Sequence, residues 1–184
     1  RSNSLEPTDL AQLINESLVL LEREMNKYRI FVEKQLDPVP RALANGNQIQ
    51  QVLLNLLINA RQAMAGGGQV TIRLSYDDQN QMVDLTVRDT GCGIVAEKLP
   101  RIFDRYYSTK SGPDESGKGG TGLGLSSCRD IIESHRGRIR VKSRVGQGTE
   151  FTIKLPVVPA GDRPSAAVDT HAAVGGASQT TRTG

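Results

Sequence analysis

The chain has no tryptophan, only three phenylalanines and four tyrosines, and two cysteines among its 184 residues. Any core it builds must therefore be aliphatic. Cys92 and Cys128 form neither a disulfide framework nor a metal-ligand cluster, which suits a reducing, cytoplasmic compartment. There is no apolar run long enough to span a bilayer and no recognisable signal peptide. A strong excess of either charge is also absent: 23 Lys and Arg against 20 Asp and Glu leave a net charge of +3. Lys and Arg are dispersed along the chain, which argues against nucleic acid as a partner. The length suits one domain with a full core and a tail.

What the chain does have is one unusual helix. Residues 46–65, GNQIQQVLLNLLINARQAMA, carry Ile49, Val52, Leu53, Leu56, Leu57, Ala60, Ala63 and Met64 at helical spacing, and Asn47 is placed to cap it. Leu54 and Ile58 extend the apolar surface, so the helix should be largely buried. One stripe stays polar and is all amide: Gln48, Gln51, Asn55, Asn59 and Gln62. Solvated faces usually carry Lys and Glu instead. Asn55 and Asn59 are neighbours at i and i+4, two carboxamides aimed at one spot.

Around this helix the pattern mixes helices and strands. Residues 1–7 read as a linker or trimmed start, and an amphipathic helix follows from Thr8 to about Tyr28. Ile30 to Leu36 reads as a strand, and Arg41 to Ala44 as a short return strand. Val70 to Tyr76 and Val83 to Val87 alternate as strands; a short helical piece is expected over Glu97 to Phe103. Residues 104–120 read as a mobile loop, followed by a helix from about Gly122 to His135. Two last strands, around Ile139 to Val141 and Phe151 to Leu155, flank a Gly146-Gln147-Gly148 turn. The fold class is a two-layer α/β (α+β) sandwich with mostly antiparallel strands, not a doubly wound sheet. The domain spans 8–156. Residues 157–184 are poor in large apolar side chains and read as a disordered tail.

Three further pieces bear chemistry. Asp89 closes a strand and opens Asp89-Thr90-Gly91-Cys92-Gly93-Ile94, where a carboxylate can accept from an exocyclic amine and the glycines admit a flat ligand. Taken alone, such a motif is far more often an ordinary Asp-Gly turn. Gly120-Thr121-Gly122-Leu123-Gly124-Leu125 feeds a helix whose first N–H groups favour phosphate, or else it is a lid hinge. In Phe103 to Lys110, the aromatics, Tyr107 among them, can anchor a lid, and Lys110 can reach a phosphate or stay solvated. Gly112 to Lys118 has P-loop spacing, but Gly119 stands where a Ser or Thr must bind magnesium, so a P-loop is rejected.

The order of these pieces is more telling than any one of them. An Asn-rich helix, DxGxG, an aromatic segment, GxGxG into a helix, then Gly146-Gln147-Gly148-Thr149 before the last strand: this series resembles the catalytic ATP-binding domain of sensor histidine kinases, within the gyrase, heat-shock chaperone, histidine kinase and mismatch-repair superfamily. The resemblance covers roughly residues 5–156. It implies a Bergerat fold binding ATP and Mg2+ under a lid. It also implies Asn55 and Asn59 in the N box, with Asn59 the magnesium ligand and Asn55 and Lys110 in catalytic positions. Asp89, Gly91, Gly93 and Ile94 would hold adenine. Tyr107, Lys110, Gly120, Thr121, Gly122, Leu123, Gly124 and Leu125 would surround the phosphates, with Gln62 beside them and Thr149 in the third glycine box.

The chain also departs from the pattern. Gln62 stands where many relatives carry a Lys or another polar residue, Arg105 replaces a common proline, and Cys92 sits inside the adenine turn, where it is expected to pack. Of the two histidines, His135 is followed by Arg136 at a helix end and His171 lies in the tail, so neither is a phospho-acceptor. The resemblance therefore implies a histidine-bearing dimerisation domain elsewhere, a response regulator beyond it, and a monomeric piece here. Two rivals are an anti-sigma-factor-like serine kinase and an ATP-gated module or ATPase of the gyrase and chaperone kind. The latter carry a glutamate base where this chain has Asn55, a poor group for activating water.

Overall fold

The computed structural model describes residues 4–105, 107 and 124–163. Strand β1 (Glu6–Thr8) leads into helix α1 (Leu10–Lys27), strand β2 (Ile30–Leu36), strand β3 (Ala42–Ala44) and helix α2 (Gly46–Ala63). Strands β4 (Gly68–Asp77) and β5 (Met82–Asp89), helix α3 (Leu125–Ser134) and strands β6 (Arg138–Arg144) and β7 (Gly148–Pro156) complete the fold.

Five strands form one sheet in the order β2-β4-β5-β7-β6. β4–β5, β5–β7 and β6–β7 are antiparallel, while β2 runs parallel to β4, paired from Ile30↔Gly68 to Leu36↔Leu74. A parallel pair needs a crossover, and the segment through β3 and α2 supplies it. Alternation does the rest. Val70, Ile72, Leu74, Val83, Leu85, Val87, Phe151, Ile153 and Leu155 are all buried on the face that meets the helices. Leu53, Leu56, Leu57 and Ala60 of α2 and Leu10, Leu13, Ile14 and Met25 of α1 close over them in one aliphatic core. Burying each large side chain contributes roughly 1.5–3 kcal/mol. The opposite face is open and polar, with Glu33, Gln35, Thr71, Arg73, Thr86, Arg88 and Glu150 along it. This is the two-layer sandwich expected.

The edges of the elements differ from expectation. Asn45, not Asn47, caps α2: it is extended, and its side chain accepts the Gln48 N–H at 3.1 Å, while Asn47 lies exposed in the first turn. Both are asparagines, and only the backbone conformation separates a cap from a first-turn residue. Asn45→Ala should therefore cost about 1 kcal/mol. The melting midpoint, read by scanning fluorimetry, should fall by about 2–4 °C while Asn47→Ala leaves it in place.

The ordered chain also reaches further at both ends than 8–156. Residues 6–8 are not linker: they pair antiparallel with β3, Glu6↔Ala44 to Thr8↔Ala42, so α1 starts at Leu10 behind an Asp9 cap. After Pro156, Val157 and Val158 are buried, and their N–H groups donate to Gln81 O and Arg41 O. Arg163 then reaches Val158 O and the Tyr76 hydroxyl. The expected tail over 164–184, like most of the expected mobile loop, lies outside the described residues. The helical piece near 97–103 is a single 3-10 turn, Leu99–Arg101. Among the described residues no helix is long and apolar enough to cross a membrane.

Candidate functional site

Asp89 is the last residue of β5, the central strand of the sheet, and is buried. Its Oδ1 accepts two backbone N–H groups, from Gly91 at 2.8 Å and from Thr149 at 3.3 Å. Both go to the same oxygen, so among the described residues Oδ2 has no donor. Burial pushes the carboxyl above its ordinary value, and the Gly91 and Thr149 N–H groups pull it part of the way back. The result is an oriented acceptor with one lone-pair-bearing oxygen left for a ligand.

The glycines around it serve a purpose the sequence does not reveal. A Cβ on Gly91 would come within 2.6 Å of the Ala63 carbonyl oxygen at the end of α2, and Gly93, at φ +76°, would place one into the Arg144 backbone. Cys92 N–H donates to Ala63 O at 3.0 Å, and Cys92 O accepts from Gly146 N–H at 2.8 Å. The loop is thus clamped between the end of α2 and the β6–β7 turn, and glycine permits that closeness. The Cys92 side chain is exposed rather than packed.

Ser143, which belongs to none of the sequence motifs, ties this region together. Its hydroxyl accepts the Ile94 N–H at 2.8 Å and lies 3.0 Å from Gly148 O and 2.8 Å from Thr149 Oγ1. The only sequence signal was its pairing position opposite Thr149 in the β6–β7 hairpin. Ser143→Ala strands the Ile94 N–H and should cost about 1–2 kcal/mol, readable as a lower denaturation midpoint. Thr149 is itself buried and meets Asp89 through its backbone.

On α2 the amide stripe is uneven. Asn55 is buried and donates through Nδ2 to the Cys128 sulfur of α3 at 3.0 Å. Burial raises the Cys128 thiol and Asn55's hydrogen bond opposes it. The two carboxamides therefore do not act as an equal pair. Asn59 is half-buried, has no hydrogen bond among the described residues, and Gln62 is exposed. The α2–α3 contact is repeated at its far end, where buried His135, the C-cap of α3, accepts the Asn45 N–H at Nε2 (3.1 Å) and holds Ile131 O at Nδ1 (2.7 Å). That is a structural histidine, as its place at a helix end suggested.

Phe103 stacks edge-on with Phe151, and Tyr107 packs on the core beneath the Arg101 guanidinium, 5.1 Å from its ring centre. Helix α3 starts at Leu125 behind exposed Gly124, three residues later than the sequence pattern placed it. Lys110, Gly120, Thr121, Gly122 and Leu123 lie outside the described residues. A separate polar cleft of about 410 Å³ opens between β1 and the first turns of α1 and α2, beside Glu6, Asp9, Gln12 and Arg41; no expected site residue lines it.

Residues 44–159 match the family model described as histidine kinase-, DNA gyrase B-, and HSP90-like ATPase. The chain belongs to this ATPase family. The sensor histidine kinase ZraS of Escherichia coli K12 is 38% identical over 155 residues, covering 84% of this chain and 31% of that protein. Sporulation kinase E of Bacillus subtilis is 34% identical over 153 residues, covering 83% and 20%. This member of the family thus spans less than a third of the length of those two relatives. Among solved structures, the catalytic domain of histidine kinase ThkA superposes with a TM-score of 0.69 at 30% identity, over 83% of this chain and 95% of that one. Full-length ShkA in complex with AMPPNP superposes at 0.74 with 28% identity, over 87% and 32%. The family's ATP-binding fold is therefore the one observed.

Proposed function

We propose that this ATPase-family domain is the catalytic part of a sensor histidine kinase, binding Mg-ATP and donating its γ-phosphate to a histidine on a dimerisation domain outside this sequence. The observation that carries the reading is Asp89: a buried carboxylate with one oxygen held by two backbone N–H groups and the other left to accept the adenine amine. Gly91, Gly93 and Ile94 form the adenine turn, and Thr149 holds Asp89 from behind. Tyr107, Lys110 and residues 120–125 are the proposed lid and phosphate cradle, with Gln62 at its margin.

No group of three or more His, Cys, Asp or Glu among the described residues could hold a metal by itself. The chemistry here fits a magnesium ion that arrives with the nucleotide and keeps its waters, with the free amide of Asn59 as one ligand. Such an ion would neutralise phosphate charge. Asn55, tied to Cys128, orients the neighbouring turn of α2 and is not a base for water. That disfavours steady hydrolysis of the gyrase and chaperone kind. Catalysis is then positioning and charge neutralisation, with the chemistry completed beside the acceptor histidine.

Calorimetric titration with a non-hydrolysable ATP analogue should show binding that strengthens with magnesium. Asn59→Ala should remove that magnesium dependence; unchanged affinity would remove Asn59 from the metal site. Radiolabelled ATP with a histidine-bearing dimerisation domain should then label histidine. Transfer to serine of a small antagonist protein would favour the serine kinase, and binding without any transfer a nucleotide-gated module. A response regulator is the expected final acceptor.

A further inference from the structure

Strand β6 is an edge of the sheet, paired on one side only, with β7. Its sequence RIRVKSR divides cleanly by period two. Ile139, Val141 and Ser143 are half-buried on the side that meets α3 and the core, whereas Arg138, Arg140, Lys142 and Arg144 are all exposed. None of these four cations has an ion pair among the described residues. Their register partners on β7 are Lys154, Thr152, Glu150 and Gly148, and Lys154 is itself engaged by Asp84 and Asp77. Four positive charges therefore stand about 7 Å apart along one edge, beside a row of backbone N–H and C=O groups that β7 does not use.

We propose that the β6 edge is a docking surface for an extended acidic polypeptide, added as a sixth strand with its carboxylates at alternate positions. A strand whose every second side chain is Asp or Glu repeats with the same period as Arg138, Arg140, Lys142 and Arg144. It can pair with the free backbone groups at the same time. A second copy of this strand is excluded, because it would set like charges opposite one another. Nucleic acid lacks the backbone pairing, and a single strand of it also needs aromatic platforms; the stripe has none, and exposed Phe31 lies on β2 at the far edge. An anionic bilayer would meet the charges but leave the edge unpaired. The proposal is independent of the phosphotransfer reading.

The test uses the full chain and a fluorescein-labelled octapeptide of alternating glutamate and threonine. A block isomer with four glutamates then four threonines, phosphatidylserine vesicles and a short DNA duplex are compared with it. Binding is followed by polarisation and by backbone amide shifts. The alternating peptide is expected to bind, shift the amides of β6, and exceed the block isomer by about tenfold. The triple variant R138Q/R140Q/K142Q is expected to lose that binding by a similar factor while its thermal midpoint holds. Arg144 is left alone because its backbone meets Gly93. Equal binding of the two isomers without β6 shifts would overturn strand addition, as would no binding. Tighter binding of vesicles or duplex, lost in the same variant, would replace the proposed partner with lipid or nucleic acid.

Discussion

Asp89→Asn should abolish useful ATP binding, lowering affinity by about 100-fold or more, without unfolding the domain. The reason is orientation as much as charge. Oδ1 is held by the Gly91 and Thr149 N–H groups, so an asparagine must turn its own oxygen to that side. Its Nδ2 then replaces Oδ2, and in the proposed adenine contact a donor faces the amine, also a donor. A 6-oxopurine presents an acceptor there, so the ratio of inosine triphosphate to ATP affinity should rise in the variant. Calorimetry with both nucleotides reads this directly; undiminished ATP affinity would remove Asp89 from the adenine contact.

The same substitution has a stability signature of known sign. Because burial raises the Asp89 carboxyl, the folded state holds that proton more tightly than the unfolded chain. The protonated form's stability contribution is complete below the unfolded value and is lost as pH climbs through the higher folded value. Asp89→Asn removes that loss. Its melting midpoint should exceed the wild type's at neutral pH, and the gap should close towards pH 3.8, the carboxyl's ordinary value. Burying the carboxylate costs stability at neutral pH, and the variant separates that cost from the proposed adenine contact.

Among glycine-to-alanine changes in the described fold, Gly148→Ala should be the most damaging, at about 3 kcal/mol or more. That corresponds to a fall of roughly 6–12 °C in a domain of this size. Gly148 has φ +122°, and a methyl there would overlap the carbonyl oxygen of Asp89, backbone that cannot swing aside. Gly146, in the same turn at φ +78°, has open space around it, so Gly146→Ala carries only the backbone penalty of about 1–2 kcal/mol. Similar midpoints for the two variants would mean the overlap relaxes. The larger loss at Gly148 should also weaken nucleotide binding, because the displaced carbonyl belongs to Asp89.

The parts legible in advance were those governed by local period. Val83, Leu85 and Val87 alternate because one sheet face is buried, and α2 repeats at helical spacing because it crosses that face. Where several conformations suit the same residues, the pattern was silent. Asn45 and Asn47 are both capable caps. Glu6–Thr8 is too short to read as a strand until β3 lies beside it, and Val157 and Val158 look like tail until Arg41 and Gln81 accept their N–H groups. The candidate site divides in the same way. Asp89 and Asn59 were visible as motif members, whereas Ser143 and Cys128 act only through partners distant in sequence.

By itself, then, the sequence determined the two-layer class, the aliphatic core and the succession of boxes, since composition, period and order are properties of a chain. The tertiary structure alone decided which Asp89 oxygen takes the Gly91 and Thr149 N–H groups, why Gly91, Gly93 and Gly148 must lack a side chain, and that Asn55 answers to Cys128 rather than to Asn59. Those are properties of close approach between segments, and hydrogen bonds and steric overlap act over a few ångströms of space, not of sequence.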